Sequence, residues 1–145
     1  MSGVIDRRAF VVRCTGVGAA LVLGGCVAMV TYPVPMLQGR VRLSIADYPD
    51  LAAPNGAIKI LPMQHDQPLY VLAQDGGEFV AVSPICTHRG CTVDVHGARL
   101  VCPCHGSTYS RTGEVLRGPA QRRLTSYRVS RQGDALIIDL TTARS

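Results

Sequence analysis

Two six-residue stretches constrain this chain more than anything else in it. They are Cys86-Thr87-His88-Arg89-Gly90-Cys91 and, ten residues later, Cys102-Pro103-Cys104-His105-Gly106-Ser107. Of the six cysteines and four histidines in the 145 residues, four cysteines and three histidines fall between Cys86 and His105. Such clustering points to a metal, rather than bulk burial, as the organiser of this region. The chain has no tryptophan and only 5% aromatic residues, so its core has to be small and aliphatic. A domain of this size is marginally stable unless something ties it together.

Each stretch offers cysteine and histidine a residue or two apart. A [2Fe–2S] cluster has four terminal ligand positions, and two thiolates can hold one iron while two imidazoles hold the other. Each loop would then supply one ligand to each iron, so the loops must clasp the cluster between them. Two cysteines are left over, one per loop, and outside the cytoplasm they can form a disulfide. Tetrahedral zinc is the rival reading of cysteine and histidine at these spacings. Zinc would leave the extra cysteine of each loop, and the nearby Ser107 and Tyr109, without a role.

These residues resemble the Rieske protein family, in the version found in cytochrome bc complexes. That pattern is C-T-H-x-G-C followed by C-P-C-H-G-S, and every fixed position matches. The likeness continues through Ser107-Thr108-Tyr109, Gly113 and Gly118-Pro119-Ala120, so it is strong over about 83–120. The resemblance implies metal ligands Cys86, His88, Cys102 and His105, and a Cys91–Cys104 disulfide. It implies that Ser107 donates to a bridging sulfide and Tyr109 to a cysteine sulfur. Such donors stabilise the more negative, reduced cluster. The centre is therefore expected in the upper part of the Rieske range of about −150 to +300 mV. The resemblance also places His88 and His105 at an exposed tip, where a free ring nitrogen can meet a quinol hydroxyl and carry its proton. His105 is the expected contact. Gly118 and Pro119 resemble the start of a proline loop covering the cluster from a third side. Two positions depart from the pattern: Gln121 stands where the family has a second proline, and Arg89 where bc-complex members commonly carry leucine. His65 and His96 have no motif around them and read as surface residues.

The N-terminal segment, residues 1–32, reads as an export signal and anchor. Asp6-Arg7-Arg8-Ala9-Phe10-Val11 resembles a twin-arginine signal, a route that exports proteins already folded around a cofactor. From Cys14 to Tyr32 there is no charge. Nineteen residues reach roughly 28 Å as a helix, close to a hydrocarbon core of about 30 Å. Arginines on its N-terminal flank put that end in the cytoplasm. The expectation is a single-pass protein of the bacterial cytoplasmic membrane with its domain on the periplasmic face. Leu23-Gly24-Gly25-Cys26 resembles a lipobox, which makes a lipoprotein anchored through Cys26 the alternative. Residues 33–39, with Pro33 and Pro35, read as a short stiff linker.

From residue 40 to 145 the pattern is β. Short aliphatic runs at 41–45, 57–61, 69–73, 78–82, 92–95, 98–101, 126–131 and 135–140 alternate with Pro, Gly, Asp and Asn. No stretch there has helical periodicity. The expected architecture is all-β: a Rieske-type antiparallel β-sandwich with a two-loop cluster-binding subdomain, preceded by one transmembrane helix. The net charge of +5 comes without a basic run interleaved with aromatics, which argues against nucleic acid.

The leading functional expectation is single-electron transfer as the iron–sulfur subunit of a bc-type quinol:cytochrome c oxidoreductase. Its partners would be a cytochrome b-like subunit, a c-type cytochrome and quinol. The alternative is a membrane-anchored accessory carrier for another periplasmic redox enzyme, such as a molybdenum oxidoreductase or a photosynthetic or respiratory assembly. Rieske oxygenases and their ferredoxins lack the disulfide cysteines. No separate catalytic site is visible in the chain.

Overall fold

The structure is a computed structural model that describes residues 29–145. The twin-arginine signal, most of the charge-free segment, Cys14 and Cys26 lie outside the described residues. Among the described residues no helix is long and apolar enough to cross a membrane.

Among the described residues, twelve strands make two sheets. They are β1 (Thr31–Val34), β2 (Met36–Leu37), β3 (Arg40–Ser44), β4 (Ala57–Pro62), β5 (Leu69–Ala73), β6 (Phe79–Val82), β7 (Asp94–His96), β8 (Arg99–Val101), β9 (Thr108–Ser110), β10 (Val115–Arg117), β11 (Ser126–Gln132) and β12 (Ala135–Arg144). The large sheet runs β1-β4-β5-β6-β11-β12-β3-β2, and the small one β10-β9-β8-β7. Among the described residues the all-β expectation holds, with only short 3-10 turns at Ile45–Asp47, Pro49–Ala52 and Asp75–Gly77; the expected transmembrane helix lies largely outside them.

The stretch expected to be a linker is instead part of the large sheet. β1 and β2 lie at opposite ends of the strand order, yet only Pro35 separates them in the chain. The sheet must therefore roll until its two edges come together. Pro33 sits in β1, which pairs with β4 alone, and an edge strand tolerates a residue without an N–H. Pro33, which looked like a breaker, is here a residue of a sheet edge, and Pro35 links one edge strand to the other. The β1–β4 pairing is also parallel, from Thr31↔Lys59 to Val34↔Pro62, in a fold expected to be antiparallel throughout.

Two apolar clusters follow from this layout. The first fills the rolled sheet with Val34, Val41, Leu43, Ile58, Ile60, Leu69, Val71, Leu136 and Ile138. The second lies between the large sheet and the loop-bearing small sheet, and includes Tyr70, Leu72, Val82, Val93, Leu100, Tyr109 and Leu124. Successive side chains of a strand point to opposite faces. In β5 both faces are buried: Leu69 and Val71 enter the first cluster, Tyr70 and Leu72 the second. The Tyr70 hydroxyl donates to the Val93 carbonyl at 2.7 Å, tying β5 to the end of the first loop.

A buried arginine joins the sheets. Arg111, only 6% exposed, donates to the carbonyls of Ala73 (Nε, 3.2 Å), Gly97 (Nη1, 2.6 Å) and Gly56 (Nη2, 2.6 Å). Burial pulls its guanidinium below the ordinary arginine value. Gly56 is required at its place because a Cβ there would collide with the Asp50 carbonyl oxygen.

Candidate metal centre

The two Cys/His loops have the same backbone fold. In the first, Cys86 N–H donates to Cys91 O (2.8 Å) and Gly90 N–H to Cys86 O (2.8 Å). In the second, Cys102 N–H donates to Ser107 O (2.8 Å) and Gly106 N–H to Cys102 O (2.9 Å). The spacing is identical, five residues and then four. Each loop turns at a glycine in the left-handed region, Gly90 at φ 77° and Gly106 at φ 76°, where an L side chain is strained. β6 leads into the first loop, and β8 and β9 frame the second.

The loops are joined by the Cys91–Cys104 disulfide. Cys86 and Cys102 stay as free, buried thiols. The sulfurs of Cys91, Cys102 and Cys104 lie within 4.8 Å of one another. Two of those are committed to the disulfide, so that trio is not a metal site. The His88 and His105 rings face each other edge to face, with centroids 4.9 Å apart. His88 is half-buried and its Nδ1 is buried with no hydrogen-bond partner, whereas His105 is exposed. An orphaned imidazole nitrogen is costly unless something occupies it. Two free thiols and two imidazoles thus stand on two loops joined by the disulfide, a donor set that suits a [2Fe–2S] cluster with mixed ligation.

The surroundings favour thiolate on one side. Burial pushes the Cys86 thiol up. Hydrogen bonds from the Tyr109 hydroxyl, the His88 backbone, the Cys102 side chain and the Arg89 backbone more than reverse this and leave it below its ordinary value. Burial holds the Cys102 thiol above its own, despite hydrogen bonds from the backbone of Cys104 and His105. The Tyr109 hydroxyl is 3.2 Å from Cys86 Sγ. It also accepts from Thr87 N–H at 3.2 Å.

A third segment closes the site. Ala120 N–H donates to Ser107 Oγ at 3.0 Å, and Thr87 Oγ1 donates to the Arg122 carbonyl at 2.6 Å. Accepting from Ala120 leaves the Ser107 hydroxyl proton free for another acceptor. Thr87, His88, Pro119, Gln121 and Arg122 line an open cleft of about 480 Å³ beside the histidine pair. Gly118 precedes Pro119 in the same segment. His96 is exposed on β7, and His65 bonds within its own turn through Nδ1 to Gln67 O at 2.8 Å. Sequence reasoning passed over Thr87 and Arg111. Thr87 lies within the fixed pattern, a signal that could have drawn attention to it. Arg111, flanked by Ser110 and Thr112, carries no such mark.

Comparison with known proteins agrees with this geometry. The Rieske [2Fe-2S] domain family model matches residues 51–128. The cytochrome b6-f complex iron-sulfur subunit of Chlorobaculum tepidum is 32% identical over 139 residues, 93% of this chain and 76% of that protein. Its counterpart in Chlorobaculum thiosulfatiphilum is 33% identical over 139 residues, 92% and 75% of the two chains. Among solved structures, the plasma membrane Rieske protein PetC3 from Synechocystis PCC 6803 superposes with a TM-score of 0.58. It is 33% identical, and the match covers 68% of this chain and 98% of that one.

Proposed function

The chain belongs to the Rieske [2Fe–2S] protein family, and from that premise we propose that Cys86, His88, Cys102 and His105 hold its cluster in a membrane quinol:cytochrome oxidoreductase of the bc type. The chain is a Rieske electron carrier, homologous to cytochrome b6-f iron-sulfur subunits. The observation that carries the ligand assignment is the buried, unpartnered His88 Nδ1, against the His105 ring and on the same disulfide-joined loops as the free Cys86 and Cys102 thiols. When bound, the cluster supplies a single-electron couple at a potential raised by its imidazole ligands.

The protein groups have separable tasks. Backbone N–H groups and the Tyr109 hydroxyl direct positive dipole at the sulfur of Cys86, and Ser107 has a free hydroxyl proton for a bridging sulfide. The Cys91–Cys104 disulfide fixes the distance between the loops. His105, exposed, presents the ring edge on which a quinol proton can be held, with His88 behind it. The electron partners are then a cytochrome b-like subunit that delivers quinol and a c-type cytochrome that takes the electron. The site faces the periplasm from a head anchored by the charge-free N-terminal segment.

A second reading is a membrane-anchored accessory carrier serving another periplasmic redox enzyme. Three observations favour it. Residues 31–37 are strands of the sheet rather than a loose tether, so the head has little freedom to swing. Arg89 puts a charge where an apolar quinol contact is expected, and Gln121, in place of the family's second proline, lines the cleft beside His88. The two readings separate on purification of the full-length protein from membranes. Co-isolation with a cytochrome b subunit and reduction of the cluster by quinol are the outcomes expected of the leading one. Isolation without cytochrome b, with a cluster that quinol leaves oxidised, sinks it.

A further inference from the structure

Six arginines lie between Ser83 and Leu124, against two acidic residues and no lysine, a net charge of +4. The rest of the chain has nine cationic and eight acidic residues. Nearly all the net charge therefore sits in the part that carries the metal ligands. Its acids do little to cancel it at the tip. Glu114 is spoken for by Arg123 at 3.1 Å, and Asp94 lies on β7, the far edge of the small sheet. Arg111 is buried between the sheets.

Four arginines remain exposed: Arg99 starts β8 next to the β7 edge, and the other three lie one in each segment around the histidine pair. Arg89 follows His88 in the first loop. Arg117 ends β10, opposite Thr108 of β9, and leads into Gly118-Pro119. Arg122 lines the cleft with His88 and Pro119. None of the three has a carboxylate in ion-pair contact; the ion pairs among the described residues are Arg40–Asp139 and Arg123–Glu114. Unpaired charge of one sign around an electron exit steers a partner of opposite charge. A membrane surface is the poorer fit, since it would cover the histidine edge through which electrons must leave.

We propose that Arg89, Arg117 and Arg122 form a docking ring for an acidic, water-soluble electron-transfer protein, which takes one electron from the reduced cluster at its own ferric haem or cupric centre. The inference rests on the carrier reading and specifies its partner.

The test uses the full-length, cluster-loaded protein in neutral detergent. The reduced form is mixed with oxidised plastocyanin, an acidic copper protein, or with oxidised mitochondrial-type cytochrome c, a basic haem protein. Raising salt from about 10 to about 150 mM cuts the Debye length from about 30 to about 8 Å. The plastocyanin reaction should slow at least about tenfold over that range, while the cytochrome c reaction holds or quickens. The variant Arg89→Ser/Arg117→Ser/Arg122→Ser should lose about tenfold at low salt with plastocyanin. Arg42→Ser/Arg128→Ser/Arg144→Ser, with the same charge loss elsewhere, should stay within about twofold. Calorimetric binding of oxidised plastocyanin to the oxidised protein should follow the same order, and paramagnetic resonance verifies the cluster in each variant. Salt-insensitive transfer, or equal losses in both variants, overturns the proposal. So does a tip variant that loses affinity for phosphatidylglycerol nanodiscs when plastocyanin never binds. A cluster that a small ferrocenium oxidant cannot oxidise defeats the carrier reading itself; one that ferrocenium oxidises and plastocyanin does not defeats the docking ring alone.

Discussion

The Tyr109 hydroxyl has one proton and three neighbours: Cys86 Sγ at 3.2 Å, Thr87 N–H at 3.2 Å and Thr87 Oγ1 at 3.1 Å. Thr87 has already committed its own hydroxyl proton to the Arg122 carbonyl. Tyr109 therefore accepts from the Thr87 N–H and shares its proton between the sulfur and Thr87 Oγ1. Added negative charge on the sulfur side draws that proton toward Cys86, so the bond is stronger when the cluster is reduced. Removing it in Tyr109→Phe costs the reduced state roughly 0.5–1.5 kcal/mol, a typical net hydrogen bond. At about 59 mV per tenfold change for one electron, that is a fall of roughly 20–65 mV in potential. A redox titration followed by paramagnetic resonance would show it; an unchanged or raised potential contradicts the donor role. The family pattern made Tyr109 legible in the sequence. Its shared proton was not, because that depends on Thr87 and Arg122, which meet only in the folded molecule.

Among the elements, the small sheet depends on Arg111 for its attachment. The side chain reaches from the end of β9 to the carbonyls of Gly56 and Ala73 on the large sheet and Gly97 in the β7–β8 turn. No carboxylate offsets its charge, so the three carbonyls supply the compensation that burial demands. Arg111→Met keeps much of the volume and removes all three bonds; Gly56 O retains the Ala73 N–H and Ala73 O the Gln74 amide, while Gly97 O loses its side-chain donor. The expected cost is about 2–4 kcal/mol, measured as a drop in the unfolding midpoint with the denaturant slope unchanged. A loss under about 0.5 kcal/mol would mean that the arginine is only decorating a surface. Strands of five or more residues were readable from aliphatic runs, and β5 falls at Leu69–Ala73 as expected. β1, β2, β9 and β10 were not, since two to four residues with proline or polar side chains carry no usable period. Those unread strands include both edges of the rolled sheet and half of the small sheet, which is why residues 33–39 passed for a linker.

For the molecule as a whole, β5 is a party wall. Leu69 and Val71 belong to the rolled sheet's interior, and Tyr70 and Leu72 to the interior under the loops. A slip of one residue would send each side chain to the wrong compartment, so the pairing register of one five-residue strand is enforced from both sides. Neither interior can open without exposing a face of β5 and so weakening the other. The protein should therefore melt as a single cooperative unit despite having two sheets. Visible absorbance of the cluster and far-ultraviolet circular dichroism of the strands should be lost at the same temperature. Bleaching well below strand melting would mean that the compartments part independently. One consequence concerns evolution: the metal-bearing half is not a detachable cartridge. A graft of residues 83–124 onto another scaffold would leave behind the strand that closes its floor, so any fragment that inherits the cluster has to inherit β5 with it.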